Sequence, residues 1–120
     1  MNIITGELQQ FIEGSALRNK WFNLPCGKLY ARKGRRYINQ EMTTAFDIAT
    51  VEWKEKYRGK GYFKKLIEHL DGNVSETYLY VENVFDEWLK EYFRKNDWIE
   101  IKTDELLDEP RSFYRKVSRK

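Results

Sequence analysis

The stretch Val51-Glu-Trp-Lys-Glu-Lys-Tyr-Arg-Gly-Lys-Gly-Tyr-Phe-Lys-Lys-Leu-Ile-Glu-His-Leu70 changes its apolar period part-way along. Val51 and Trp53 stand two apart, as in a half-buried strand, whereas Tyr62, Phe63, Leu66, Ile67 and Leu70 recur at the spacing of one helix face. The change falls on Arg58-Gly-Lys-Gly61. Gly59 and Gly61 carry no Cβ, so the backbone can turn sharply there and a ligand can approach its amides. The first turn of a helix leaves N–H groups without internal partners, and the helix dipole adds positive charge at the same end. A strand, a glycine loop and a helix in this order therefore suit an anion. Arg58, Lys60, Lys64 and Lys65 surround the loop with cations, as a phosphate ligand would use.

The rest of the chain bounds what that loop can belong to. At 120 residues there is room for one core, and no repeat, low-complexity segment or linker marks a boundary, so residues 1–120 are expected to form a single domain. Aromatic residues make up 16% of the chain, which places much of the core mass in rings. Charged residues are 34%, yet the formal net charge is only +3, which predicts a soluble protein with local basic patches, not one that coats nucleic acid generally. No apolar run approaches a membrane span and the N-terminus lacks a signal-peptide pattern, so no membrane association and a cytoplasmic location are expected. Cys26 is the single cysteine, which excludes an internal disulfide and fits a reducing compartment. With one cysteine and one histidine, His69, the usual Cys/His zinc site cannot be assembled, and no metal is expected. His69 reads as surface structure.

Upstream of the loop, Ile3 and Ile4 read as a fragment of edge strand, and Thr5 as the N-cap of a helix carrying Leu8, Phe11 and Ile12 up to Gly14. Ser15 is suited to cap a second short helix with Leu17, Trp21 and Phe22, ending before Pro25. Three antiparallel strands are then expected: Leu29–Arg32, Arg36–Ile38 and Met42–Trp53, with Lys33-Gly34 as the first hairpin turn and Asn39-Gln40 as the next connection. Arg32, Lys33, Arg35 and Arg36 would form a charged, solvated hairpin tip. Downstream, Asp71-Gly72-Asn73 reads as a helix stop, and Thr77–Val81 as a strand lying parallel beside the one that ends at Trp53. Asp86 is suited to cap a helix whose stripe is Phe85, Trp88, Leu89, Tyr92 and Phe93, closed by Asn96-Asp97. Trp98–Ile101 and Ser112–Val117 are two final strands around an acidic loop holding Leu106, Leu107 and Pro110.

The spacing Arg58-x-x-Gly61 with Gly59 between resembles the coenzyme A pyrophosphate loop of the GNAT superfamily of N-acetyltransferases, Gln/Arg-x-x-Gly-x-Gly/Ala, the last position falling on Phe63. The segment from 86 to 98 is similar to the family's Asn-x-x-Ala-x-x-x-Tyr-Glu-Lys-x-Gly-Phe. Asp86 stands at the Asn, Leu89 at the Ala, Phe93 at the Tyr and Trp98 at the Phe. The element order resembles that fold over nearly the whole chain, and a compact chain with a shortened N-terminus also resembles members carried by phages. The resemblance implies an α/β (α+β) fold: a mixed, mostly antiparallel sheet with a splayed central parallel pair and about four helices.

It also implies acetyl-CoA as cosubstrate. The backbone of Val51, Glu52 and Trp53 would hold the pantetheine amides. Arg58, Gly59, Lys60, Gly61, Tyr62 and Phe63 would take the pyrophosphate, with Asp86 also at the cofactor site. An amine of pKa near 10 has to lose a proton before it attacks a thioester. Asp47 and Glu52 are the candidate bases. Asp47 lies 11 residues before Arg58, which resembles the offset of a catalytic Glu in some members. On an ideal strand Asp47 shares a face with Ala49, Val51 and Trp53, while Glu52 points the other way. Tyr92, one position from Phe93, is the candidate acid for the thiolate, with Tyr80, Tyr114 or unassisted departure as alternatives. The first reading is therefore N-acetyltransfer to an amine of a protein or small molecule, by a monomer or homodimer. A second is a GNAT-like domain that binds coenzyme A or a protein partner without catalysis, motivated by Phe63 and Phe93. A third is a small nucleic-acid-binding or nucleobase-modifying protein, motivated by Arg32 to Arg36 and by Arg115, Lys116, Arg119 and Lys120.

Overall fold

Thr5 starts the first helix as its sequence predicts. In this computed structural model its Oγ1 accepts the Leu8 N–H at 3.2 Å, and α1 (Gly6–Gly14) turns Leu8, Phe11 and Ile12 into the core. The structure describes residues 2–14, 17–84, 87–101 and 111–118, with the backbone alone at 83, 84, 87, 88 and 111. Ser15, Phe85, Asp86, the Trp88 side chain, the loop with Leu106, Leu107 and Pro110, and Arg119 and Lys120 lie outside the described residues. Ile3 and Ile4 are not in a strand; Ile3 is simply buried.

The expected second helix is a strand, β1 (Asn19–Leu24). The spacing of Leu17, Trp21 and Phe22 fits one helix face, but Phe22 and Leu24 are buried while Trp21 and Asn23 are exposed. That alternation is the period of two, and β1 pairs antiparallel with β2 (Gly27–Ile38) from Asn19↔Arg32 to Leu24↔Gly27.

The expected hairpin at Lys33-Gly34 does not form. β2 runs unbroken through both residues, which pair with Phe46 and Ala45 of β3 (Glu41–Trp53). The chain reverses at Asn39 and Gln40, whose φ values of 52° and 65° supply the consecutive left-handed residues of a two-residue hairpin. Arg32 and Arg36 therefore sit four apart along one face of a strand and not at a solvated tip.

β3 carries the feature that positions the site. Tyr30 pairs with Thr50 and Ala31 with Ile48, so Ala49 has no partner on β2 and forms a bulge. One extra residue reverses the alternation. Phe46 and Ile48 belong to the main core before the bulge, and Val51 and Trp53 pack against that core after it. Asp47 consequently does not share a face with Val51 and Trp53, as an ideal strand predicts.

After a 3-10 turn (Glu55–Tyr57), α2 (Tyr62–Asn73) begins at the expected residue and runs on through Asp71-Gly72-Asn73, which form its last turn. β4 (Tyr78–Val84), α3 (Glu87–Lys95), β5 (Ile99–Ile101) and β6 (Arg111–Lys116) follow. The six strands form one sheet in the order β1-β2-β3-β4-β6-β5, in which β3 and β4 are the parallel pair and every other pairing is antiparallel. Three α-helices are described, fewer than the four or so expected.

Alternate residues of the strands divide between two clusters. Phe46, Ile48, Leu79, Val81 and Phe113 join Leu8, Phe11, Leu66, Leu70 and Phe93 in the main core, so α1, α2 and α3 all pack on one side of the sheet. Ring contacts fill it: Phe93 lies 4.9 Å from Phe113, 4.7 Å from Trp98 and 5.7 Å from Phe63 between centroids. The second face carries Ile38, Ala45, Tyr80 and Tyr114, and no described helix contributes to it.

Candidate active site

The parallel pairing of β3 with β4 ends at Ile48↔Val81, yet β3 continues to Trp53 and β4 to Val84. The strands part at the bulge, because Ile48, the residue before Ala49, is the last of β3 to pair with β4. Beyond that point the main chain of β3 has no β4 partner, so its polar groups on that side are available to something else. The gap opens into a cleft of about 780 Å³ whose walls include Thr50, Val51, Val81, Glu82, Leu89 and Tyr92, and which extends to Arg58, Gly59 and Gly61 at the start of α2.

Gly59 and Gly61 adopt φ of 70° and 83°, and Gly61 is the N-cap residue of α2. Their conformation, not crowding, demands glycine: a Cβ at either would meet nothing within 4 Å. Open space thus lies outside a loop that leads into the first turn of a helix. Arg58 Nε donates to the Trp53 carbonyl at 3.1 Å, which ties the loop to the end of β3. Tyr57 and Tyr62 pack edge to face at 5.8 Å beneath it. Phe63, at the position where the family pattern has Gly or Ala, turns its ring inward against Phe93 and is only 6% exposed. The bulk of that ring is accommodated by edge contacts with Phe93 and with Tyr92, and the residue still forms part of the cleft wall. Lys60 is exposed and is not part of the cleft wall.

The structure brings Val51, Glu52, Trp53, Arg58, Gly59, Gly61, Tyr62, Phe63 and Tyr92 to one cleft. Among the described α3 side chains Tyr92, not Phe93, is the aromatic in the cleft wall, while Phe93 is wholly buried. Burial pushes the Tyr92 phenol up, with Arg115 pulling it down and Glu68 adding to the rise. The group is therefore a proton donor, not a phenolate, at neutral pH.

Asp47 is placed differently. It is 6% exposed, lies on the second face of the sheet, and is absent from the cleft wall. Its Oδ2 accepts from Arg36 Nε at 3.2 Å and from the same guanidinium's Nη2 at 2.6 Å, and lies 3.6 Å from Arg32. Its Oδ1 is buried without a hydrogen-bond partner. Arg32 and Arg36 both also pair with Glu82, and Arg36 stacks 3.8 Å from the Tyr80 ring centroid. Burial raises the Asp47 carboxyl to about 6; Arg36 pulls against this and Glu82 adds to it.

This quartet changes the meaning of the basic run. Arg32 and Arg36 are neutralised from within, and Lys33 crosses to the other face, where its Nζ donates to the Phe11 carbonyl at 2.8 Å and lies over the Phe11 ring. Glu82 is the cleft residue that the sequence does not single out. Its position, directly after the last paired residue of the central parallel strand, is the feature that finds it. Away from the cleft, Cys26 is buried, its thiol pushed up by burial, and His69 Nε2 lies 2.6 Å from Gln9 Oε1 between α2 and α1.

No family model and no curated protein matches the chain. Solved structures do. The AtaT toxin bound to the C-terminus of the antitoxin AtaR superposes with a TM-score of 0.58 at 11% identity over 77% of this chain and 59% of that one. The KacTA–DNA complex gives 0.56 at 12% identity over 78% and 59%. An acetyltransferase from Thermus thermophilus gives 0.53 at 20% identity over 92% and 70%. The chain has a GNAT-like fold. It spans about three fifths of the length of the two toxin-system chains. Within a GNAT-like sheet, β3 and β4 are the central pair that parts, and the loop from Arg58 to Phe63 occupies the strand-to-helix turn beside the gap. No described helix is long and apolar enough to cross a membrane.

Proposed function

We propose that the protein is an acetyl-CoA-dependent N-acetyltransferase acting on an amine of a protein or small molecule. One observation carries this reading. A single cleft joins a gap between parallel strands, where the main chain of β3 has no β4 partner, to a left-handed glycine loop at a helix N-terminus. The first suits the amides and thioester of an acyl-pantetheine, and the second suits a diphosphate.

In this reading Val51, Glu52 and Trp53 present their backbone to the pantetheine arm. The loop from Arg58 to Phe63 and the first turn of α2 take the diphosphate, with Lys60 and Lys64 as further cations. A neutral amine attacks the thioester carbon, forming the C–N bond; an amide donor of β3 stabilises the oxyanion, and collapse breaks the C–S bond. Tyr92 supplies a proton to the departing thiolate and regains one from the nitrogen that has become the amide. Glu52 is in the cleft wall, whereas Asp47 acts at a distance through Arg36 and Glu82.

Isothermal calorimetry with acetyl-CoA and desulfo-CoA tests the reading. Both are expected to bind, and acetyl-CoA is expected to release its thiol when small amines are added. Failure of either coenzyme to bind would remove the proposal. Binding with an inert thioester would instead mark a coenzyme A-binding domain without catalysis, the reading favoured by Phe93, which is buried where the family pattern has a Tyr.

A further inference from the structure

Glu82 is the acidic side chain at the point where β3 and β4 separate. It follows Val81, the last residue of β4 paired with β3, and it lines the cleft. Its carboxylate also reaches the second face of the sheet, where Arg32 and Arg36 hold it. The three helices and the glycine loop lie on the first face. A coenzyme entering along α2 therefore leaves the second face as the approach for the other substrate, and Glu82 bridges the two. Asp47 is buried beneath the Arg36 guanidinium, one strand away.

From this placement we infer that Glu82 is a catalytic residue that receives the acceptor's proton, and that Arg36 and Asp47 are positioning residues that fix its carboxylate. This rests on the acetyltransferase reading. An ammonium group arriving from the second face meets Glu82 before it reaches the thioester. It gives one proton to the carboxylate and attacks as the free amine. The tetrahedral adduct then holds an N–H⁺ and an oxyanion; the C–S bond breaks, the thiolate takes a proton from Tyr92, and the excess proton on the nitrogen passes to the Tyr92 phenolate, which restores the phenol. Glu82 returns its proton to water. Arg32 donates to Oε2 and Arg36 to Oε1, which fixes the carboxylate's orientation, and each oxygen keeps a lone pair for the amine's proton.

The test compares two small acceptors, n-butylamine, which is almost wholly ammonium at neutral pH, and methoxyamine, which is neutral there. Acetyl-CoA affinity is measured in parallel by calorimetry. Glu82→Gln is expected to lower kcat/KM for n-butylamine about 100-fold, the usual scale of a lost general base. With methoxyamine the same variant should stay close to wild type, and acetyl-CoA affinity should not change. Glu82→Asp keeps the charge that pairs with Arg32 and Arg36 and withdraws it by one methylene, so it folds even if the Gln variant does not. It should lose about 10-fold with n-butylamine only. Equal losses with both acceptors would overturn the proposal, since a merely structural role would produce them. So would acetyl-CoA binding without transfer to either amine by the wild type. Absence of acetyl-CoA binding by the wild type would instead remove the acetyltransferase reading beneath it.

Discussion

At Asp47 a buried carboxyl is pulled in two directions, and burial prevails over Arg36, lifting it from 3.8 to about 6. The sign of the consequence follows from proton binding. Below about pH 4 the group is protonated in both the folded and the unfolded chain. Between about pH 4 and pH 6 the unfolded chain releases its proton first, so the folded state binds more and loses stability as pH rises through this window. Asp47→Asn removes the titration. Its melting temperature, followed by circular dichroism, is expected to change less between pH 4 and pH 6 than that of the wild type. A variant that keeps the wild-type slope would place the titration on another group. None of this is legible in the sequence, because the partner of Asp47 lies 11 residues earlier on a neighbouring strand and Glu82 lies on another. Tyr92 is legible as an α3 aromatic with a hydroxyl, and its placement in the cleft over Phe93 is a matter of about 100° of helical rotation.

Elements are legible where period and punctuation agree. α1 has a Thr cap and a Gly end, and α2 has a glycine loop before an apolar stripe, so both can be read directly. β1 cannot, because Trp21 and Phe22 satisfy a helical spacing that only pairing with β2 overrules. β2 reads as two strands because Lys33-Gly34 has turn composition, although Gly34 stays extended opposite Ala45. The bulge at Ala49 has no composition of its own; it arises from the register of two strands. Where β2 begins, that register is enforced by contact. A Cβ on Gly27 would lie 2.1 Å from the Glu52 carbonyl oxygen and 2.8 Å from the Trp53 Cα, both backbone atoms that cannot rotate aside. Gly27→Ala must push β2 and the end of β3 apart. It is expected to destabilise the fold by about 3 kcal/mol, read from the urea midpoint. A midpoint within a few tenths molar of wild type would mean that the strand ends give more easily than their pairing implies.

For the molecule as a whole, the parallel pair follows from one strand, loop, helix and strand sequence, while the site's second half comes from strands whose composition hides their extent. The GNAT-like sheet leaves its central strands apart at one end, and nothing within the described chain joins β3 to β4 there. A ligand that binds the folded state across that gap, and not the unfolded chain, must stabilise the whole fold. At 100 times its dissociation constant it adds about 2.7 kcal/mol. For a chain of this size that corresponds to a rise in melting temperature of about 8–12 °C. Acetyl-CoA and desulfo-CoA are expected to give the same rise, because the phosphates and pantetheine amides are common to both. Gly61→Ala puts a side chain at φ 83°, which by itself costs about 1 kcal/mol, and it disturbs the loop that the diphosphate is proposed to meet. That variant is expected to melt lower without coenzyme and to gain much less with it. A rise in melting temperature as large as the wild type's would move the diphosphate away from α2 and leave the gap between β3 and β4 without its ligand.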